Sequence, residues 1–272
     1  MKAWIVNPGQ KYVIDKDIIK LFPNLELIIT PSTGKNHINE QDCKSHGIAV
    51  HGLLDVRETL DTITASSEFT FLLILNALRR LDLAVDGVTE NRWRDNEENL
   101  RGHELYKKSI GIIGLGRIGS NIAKWSNAFG ANVYYFDPYV NSDRYTSLSI
   151  EYIFSQSDII CISCLLTDET KGFIDKKLLS MIKHNAAIVN TSRGEIINED
   201  DLIDIINERD DINICLDVLS GEVTNSQLSS PLLDFHRKGR ITITPHIAGA
   251  TYDSQIKAAK GALELLKHHY NK

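Results

Sequence analysis

The 272-residue chain is 42% hydrophobic and carries a formal net charge of −6, with enough apolar content to fill the cores of two modest domains. Acidic and basic residues are interspersed, so no footprint for nucleic acid or an anionic membrane stands out, and a small-molecule substrate is the expected partner. The first nine residues hold too short an apolar run for a signal peptide, and residues 69–78 fall far short of a membrane span, which gives the expectation of a cytoplasmic protein.

Residues 1–65 alternate short apolar runs with helical patterns: strand 3–6, helix 15–21, strand 25–29, helix 40–45 and strand 48–50. Such alternation predicts a small open α/β domain. An apolar helical segment follows over 66–85, then a polar stretch over 89–102 that reads as a linker or an arm. From 109 to 246 the alternation resumes, with strands at 110–113, 133–136, 159–163, 187–190, 214–217 and 241–244. Several of these runs lack polar alternation, as expected for parallel strands covered by helices on both faces. The predicted fold class is α/β, with a doubly wound parallel-sheet Rossmann domain over 66–248. A final helix over 250–269 is expected to complete the smaller domain of residues 1–65. No metal site is expected. Cys161 and Cys164 form a CxxC, but they end an apolar strand rather than open a helix, so they read as buried strand cysteines on opposite faces.

The turn Gly114-Leu115-Gly116-Arg117-Ile118-Gly119 follows a predicted strand and opens a predicted helix, the context that turns a glycine pattern into a dinucleotide site. Gly114 allows the tight turn, Gly116 a close approach to the pyrophosphate, and Gly119 close helix–strand packing. Arg117 and Ile118 start the helix whose N-terminus faces the phosphates. The next strand ends in Asp137, 21 positions after Gly116, where a carboxylate accepts from ribose hydroxyls and repels a 2′-phosphate. The cofactor expected is therefore NAD rather than NADP.

Two more strand ends carry polar residues, Asn190-Thr191-Ser192-Arg193-Gly194 and Thr244-Pro245-His246-Ile247-Ala248-Gly249, and ligands of doubly wound sheets sit beyond such ends. Together with Thr30-Pro31-Ser32-Thr33-Gly34, Phe136-Asp137-Pro138 and Leu216-Asp217-Val218, these motifs resemble the D-isomer-specific 2-hydroxyacid dehydrogenase family over nearly the whole chain. The resemblance implies a smaller flavodoxin-like substrate domain and a homodimer. It implies a catalytic Arg, Glu and His at Arg193, Glu222 and His246. It further implies cofactor contacts at Thr167, Thr191 and Asp217, the last toward the nicotinamide carboxamide, and a substrate-carboxylate loop at Ser32, Thr33 and Gly34.

Hydride transfer to a 2-keto acid needs these residue types. A protonated His246 can quench the charge that grows on the carbonyl oxygen, and a neighbouring Glu222 favours that protonated form. The planar fork of Arg193 can hold the substrate carboxylate while polarising the adjacent carbonyl. The alternatives are NADP-linked glyoxylate or hydroxypyruvate reduction, and a non-catalytic NAD(H)-sensing protein of the same fold. Against the family, only Met1 and Lys2 precede the strand at 3–6, where a further strand and helix are usual, so a trimmed first domain with an open sheet edge is expected.

Overall fold

The computed structural model describes every residue except Lys11, Asn96, residues 223–229 and Lys272. The described residues gather into two compact units. The first holds Met1–Ala65, the described start of Gly221–Leu228, and Gly249–Lys272, and the second holds Ser66–Ser220 and the described part of Ser229–Ala248. Among the described residues no helix is long and apolar enough to cross a membrane.

The first unit is built on three parallel strands, β1 (Ala3–Ile5), β2 (Leu27–Ile29) and β3 (Ala49–His51), in the order β1-β2-β3. Side chains of a strand alternate between faces, and β2 shows it. Leu27 and Ile29 pack with Ala258, Ala262 and Leu265 of the helix Tyr252–Tyr270, while Ile28 packs with Val6, Ile14, Cys43 and Ile48 on the other face. Thr251 caps that helix by accepting from the Ser254 amide, satisfying one of the donors a helix start leaves open.

The second unit has seven strands: β4 (Ser109–Ile113), β5 (Asn132–Phe136), β6 (Thr146–Ser147), β7 (Ile159–Ile162), β8 (Ala187–Asn190), β9 (Asn213–Leu216) and β10 (Thr242–Ile243). They run parallel in the order β10-β9-β8-β7-β4-β5-β6. From β4 the chain winds outward through β5 and β6, then returns to the other side of β4 and continues to β10. This is a doubly wound sheet whose direction switches between β4 and β7. Ile110, Ile112, Ile159, Cys161 and Val189 point into one core with Leu73, Ile74, Ile122 and Ala123. Ile113, Ile160, Ile162 and Ile188 point into the other with Phe154, Leu179 and Ile205. Both faces are covered, which is why the strands read as unbroken apolar runs.

Three details differ from the sequence pattern. The apolar stretch over 66–85 is two helices, Ala65–Arg79 and Leu81–Thr89, separated by Arg80 at φ +50°. A non-glycine residue in the left-handed region carries strain, and here the Arg80 guanidinium is tied to Asn213 Oδ1 at 3.2 Å and the Gly239 carbonyl at 3.0 Å. Strand β6 was not anticipated, because its two residues are polar and exposed. Strand β10 is shorter than residues 241–244. Cys161 lies in one core and Cys164 packs against the other. Burial pushes their thiols up to about 12 and about 11 respectively, so neither is a ready thiolate.

Asp158, just before β7, ties β4 to β7 by accepting from the Ser109 amide at 2.8 Å, the Ser109 hydroxyl at 2.9 Å and Lys183 Nζ at 2.7 Å. Burial alone pushes its carboxyl up, but the Lys183 and Ser109 donors outweigh it and hold it below the usual carboxylate range. A depressed folded pKa contributes stability above the unfolded value of about 3.9, and that contribution is lost as pH falls through the folded value. Asp158→Asn is therefore expected to lower the melting temperature near neutral pH, with the gap to wild type narrowing below about pH 4. A gap unchanged across that range contradicts this role for the carboxylate.

Candidate functional site

Strand pairing aligns Ile113 with Phe136 and Ile162, Ile162 with Asn190, Asn190 with Leu216, and Leu216 with Ile243. The residues that follow these positions therefore leave the same end of the sheet, the end at which ligands of such folds sit. They include Gly114, Asp137, Ser163, Thr191, Asp217 and Thr244.

Gly114 has φ +92°, and a Cβ there would lie 2.7 Å from the Cys164 amide nitrogen. A Cβ on Gly119 would lie 2.1 Å from the Gly114 carbonyl oxygen, whereas one on Gly116 would meet nothing within 4 Å. The first and last glycines are demanded by the protein's own packing, and Gly116 is not. Gly116 caps the twelve-residue helix Arg117–Ala128, with no side-chain hydrogen bond at that cap. The first turn of a helix leaves amides without intrahelical partners and carries positive partial charge. Open space over Gly116 beside those amides fits the pyrophosphate of a dinucleotide. Ile118 packs against the core, and Arg117 is half-buried in the same turn.

Asp137 shapes the backbone on both sides of it. One carboxylate oxygen accepts from the Leu115 amide at 2.8 Å, inside the glycine turn, and the other accepts from the amides of Tyr139 at 2.9 Å and Val140 at 3.1 Å. A carboxylate offers about four acceptor sites, so it shapes both loops with acceptor capacity to spare. Thr167 is exposed, and its hydroxyl accepts from the Thr170 amide at 3.3 Å. Thr191 is buried, and its hydroxyl lies 2.6 Å from that of Thr70, which itself donates to the Ser66 carbonyl at 2.6 Å.

The turn after β8 is folded by a buried amide. Asn190 donates to the Arg193 carbonyl at 2.9 Å and accepts from the Ser192 amide at 3.0 Å, and Ser192 donates to the Ile162 carbonyl at 3.0 Å. Gly194 is forced, since a Cβ would lie 2.1 Å from the Leu219 carbonyl carbon. The half-buried Arg193 donates from Nη1 to the Ser192 carbonyl at 2.6 Å, which orients the guanidinium. The sequence signal for this fold of the turn is an asparagine closing an apolar strand, the residue type that makes an Asx turn.

Asp217 is 1% exposed and holds the His246 segment from within. It accepts from the Thr244 hydroxyl at 2.5 Å and the Ile247 amide at 3.0 Å on one oxygen, and from the Ala248 amide at 2.8 Å on the other. Its own carbonyl accepts from the His246 amide at 2.8 Å. His246 sits at φ +52° with an exposed side chain. A left-handed non-glycine residue persists where its surroundings over-determine it, and four hydrogen bonds to one residue do so. Sequence reasoning placed Asp217 at the cofactor and did not foresee this hold on the histidine.

The remaining sequence-predicted residues lie in the first unit. Ser32, Thr33 and Gly34 form the loop after β2, where Ser32 donates to the Gly34 carbonyl at 2.8 Å. Glu222 is half-buried in a turn that groups with the first unit.

The family model described as D-isomer specific 2-hydroxyacid dehydrogenase, NAD binding domain, matches residues 71–248. A curated relative, the D-3-phosphoglycerate dehydrogenase of Bacillus subtilis, is 29% identical over 253 residues, covering 90% of this chain and 45% of that protein. The glyoxylate reductase of Korarchaeum cryptofilum is 28% identical over 260 residues, covering 93% and 75%. The chain thus spans about half the length of the phosphoglycerate dehydrogenases it matches. Among solved structures, a D-lactate dehydrogenase of Aquifex aeolicus complexed with NAD and lactic acid superposes with a TM-score of 0.85 at 26% identity, covering 99% of this chain and 83% of that one. An NAD-dependent formate dehydrogenase of Staphylococcus aureus in complex with NAD gives 0.85 at 27% identity, covering 100% and 80%.

The glycines separate packing from ligand binding. Gly116→Ala is expected to leave the melting temperature unchanged yet weaken NAD binding by about tenfold or more, because its methyl group fills the open space above the helix cap. Gly119→Ala should lower the melting temperature itself. Unaltered NAD affinity in a folded Gly116→Ala protein contradicts the placement of the pyrophosphate.

Proposed function

The chain belongs to the D-isomer specific 2-hydroxyacid dehydrogenase family with NAD as its cofactor, and on that premise we propose that it interconverts a D-2-hydroxy acid and its 2-keto acid. The observation that carries this reading is the fixing of an exposed histidine, His246, at a strand end by a buried carboxylate, in the same sheet as an oriented arginine, Arg193, and an open dinucleotide cradle.

When bound, NAD supplies the hydride donor and acceptor. The chain's own residues do the rest. His246, as imidazolium, delivers a proton to the substrate oxygen on reduction and takes it back on oxidation. Asp217 fixes the backbone that presents it, so little reorganisation is left to the reacting state. Arg193 holds the substrate carboxylate with its planar fork and draws electron density from the adjacent carbonyl. Glu222 is the carboxylate that completes the catalytic set in this reading. The amides of Ser32, Thr33 and Gly34 receive the carboxylate. Thr167 and Thr191 supply hydroxyls to the cofactor, and Asp137 accepts from the adenosine ribose and disfavours a 2′-phosphate. A homodimer is part of the same reading, supported by the half-exposed apolar residues Leu81, Val85 and Val88 along one helix.

The test is the loss of absorbance at 340 nm with NADH or NADPH over a panel of 2-keto acids. Turnover with at least one acid and preference for NADH are expected; tight NADH binding without turnover of any acid overturns the enzymatic reading. His246→Ala is expected to cut kcat by about 100-fold or more while NADH still binds, since a positioned acid–base group contributes about 10²–10⁴-fold. Arg193→Lys should depress kcat/KM severely, and a mild effect removes Arg193 from the carboxylate.

A further inference from the structure

Behind the loop of Ser32, Thr33 and Gly34 lies a chain of buried hydrogen bonds. The His37 side chain is 2% exposed, and its Nε2 lies 3.0 Å from the hydroxyl of Thr30, which is 0% exposed. The Thr30 hydroxyl lies 2.8 Å from that of Ser32, and Ser32 donates to the Gly34 carbonyl at 2.8 Å.

Proton counting gives this chain a single direction. A carbonyl has no proton, so Ser32 spends its only one on Gly34. Ser32 can then only accept from Thr30, Thr30 can only accept from His37, and Nε2 of His37 carries a hydrogen. Both hydroxyl protons are committed inward. The Ser32 carbonyl is held as well, by the Leu53 amide at 3.0 Å. With the carbonyls of Ser32 and Gly34 both occupied, the loop offers its amides. Those of Ser32, Thr33 and Gly34 make no hydrogen bond among the described residues.

We propose that His37 is a positioning residue for the substrate: through Thr30 and Ser32 it holds the Gly34 carbonyl inward, so that the amides of Ser32, Thr33 and Gly34 are presented as one receptor for the substrate carboxylate. The proposal rests on the reading of these three residues as the carboxylate loop. It assigns His37 no contact with the substrate or cofactor and no part in proton transfer. Its effect belongs in substrate affinity and not in the chemical step.

The experiment compares wild type, His37→Leu, His37→Gln and Thr30→Val. Glutamine keeps an N–H donor at similar reach, leucine removes it, and valine breaks the relay at its middle with little change of shape. His37→Leu and Thr30→Val are expected to raise KM for the keto acid about tenfold, with kcat and NADH affinity near wild type. His37→Gln should recover most of that loss. The ring nitrogens of His37 in the wild-type protein give an independent reading by two-bond 1H–15N correlation, with a protonated Nε2 expected. An unprotonated Nε2 reverses the chain and overturns the proposal, whatever the kinetics. If the wild type turns over a keto acid but folded His37→Leu keeps its KM, the proposal fails while the enzymatic reading stands. If Nε2 is protonated but the wild type reduces no keto acid, the relay exists and the substrate reading falls, taking the positioning role with it.

Discussion

Seven parallel strands hydrogen-bonded in one register set where everything else in the second unit must lie. Because Ile113, Phe136, Ile162, Asn190, Leu216 and Ile243 are linked through the ladder, the residue after each is delivered to the same end of the sheet. A slip of one residue in any strand would exchange its two core faces, and both faces are tightly used: Ile160 and Ile162 serve one core, Ile159 and Cys161 the other. Core packing therefore fixes the register, and the register brings a glycine turn, an arginine turn and a histidine turn to one edge. The switch in winding falls there too, between β4 and β7, where doubly wound sheets receive their ligands. Ser163 ties the two strand ends together by donating to the Gly114 carbonyl at 2.7 Å.

Buried and half-buried polar side chains then shape the loops that leave this end of the sheet. Asp137, Asn190 and Asp217 each stand at or just past the end of a strand, and each satisfies backbone donors of the turn beside it. Hydrogen bonds from amides to a carboxylate contribute more than neutral pairs, about 1.5–3 kcal/mol each, and a buried carboxylate left without them would be costly. The same side chains that keep the loops in place thus fix Arg193 and His246 ahead of any ligand. In the first unit, on the proposed reading, His37 does the comparable task through the hydroxyls of Thr30 and Ser32. Preorganisation of this kind is what a site needs when charge develops on a substrate oxygen.

Much of this was legible in the sequence, for physical reasons particular to each element. The runs at 159–163 and 187–190 read as covered strands, because every residue before the closing Ser163 and Asn190 is apolar. The glycine turn could be read because Gly114 and Gly119 answer to close backbone approach, and Gly116 to the space that is left. The arginine and histidine turns stood out as polar clusters immediately after such strands. What escaped was set by tertiary hydrogen bonding. The break at Arg80 depends on partners at Asn213 and Gly239, more than a hundred positions away in sequence. The hold of Asp217 on the His246 backbone joins two motifs that read as separate. The relay from His37 to Gly34 has no periodicity or composition to betray it, since only folding brings Nε2 of His37 to the Thr30 hydroxyl.

The central claim is that a hydride passes between the dinucleotide and the carbon that bears the substrate oxygen, beside His246. It is tested most directly by incubating the chain with NADH deuterated at C4 and a 2-keto acid, then locating the label by mass spectrometry and NMR. The account predicts deuterium at C2 of a hydroxy acid of D configuration, formed by wild type and lost in His246→Ala. NADH bound at the glycine turn with no labelled hydroxy acid from any keto acid would contradict it.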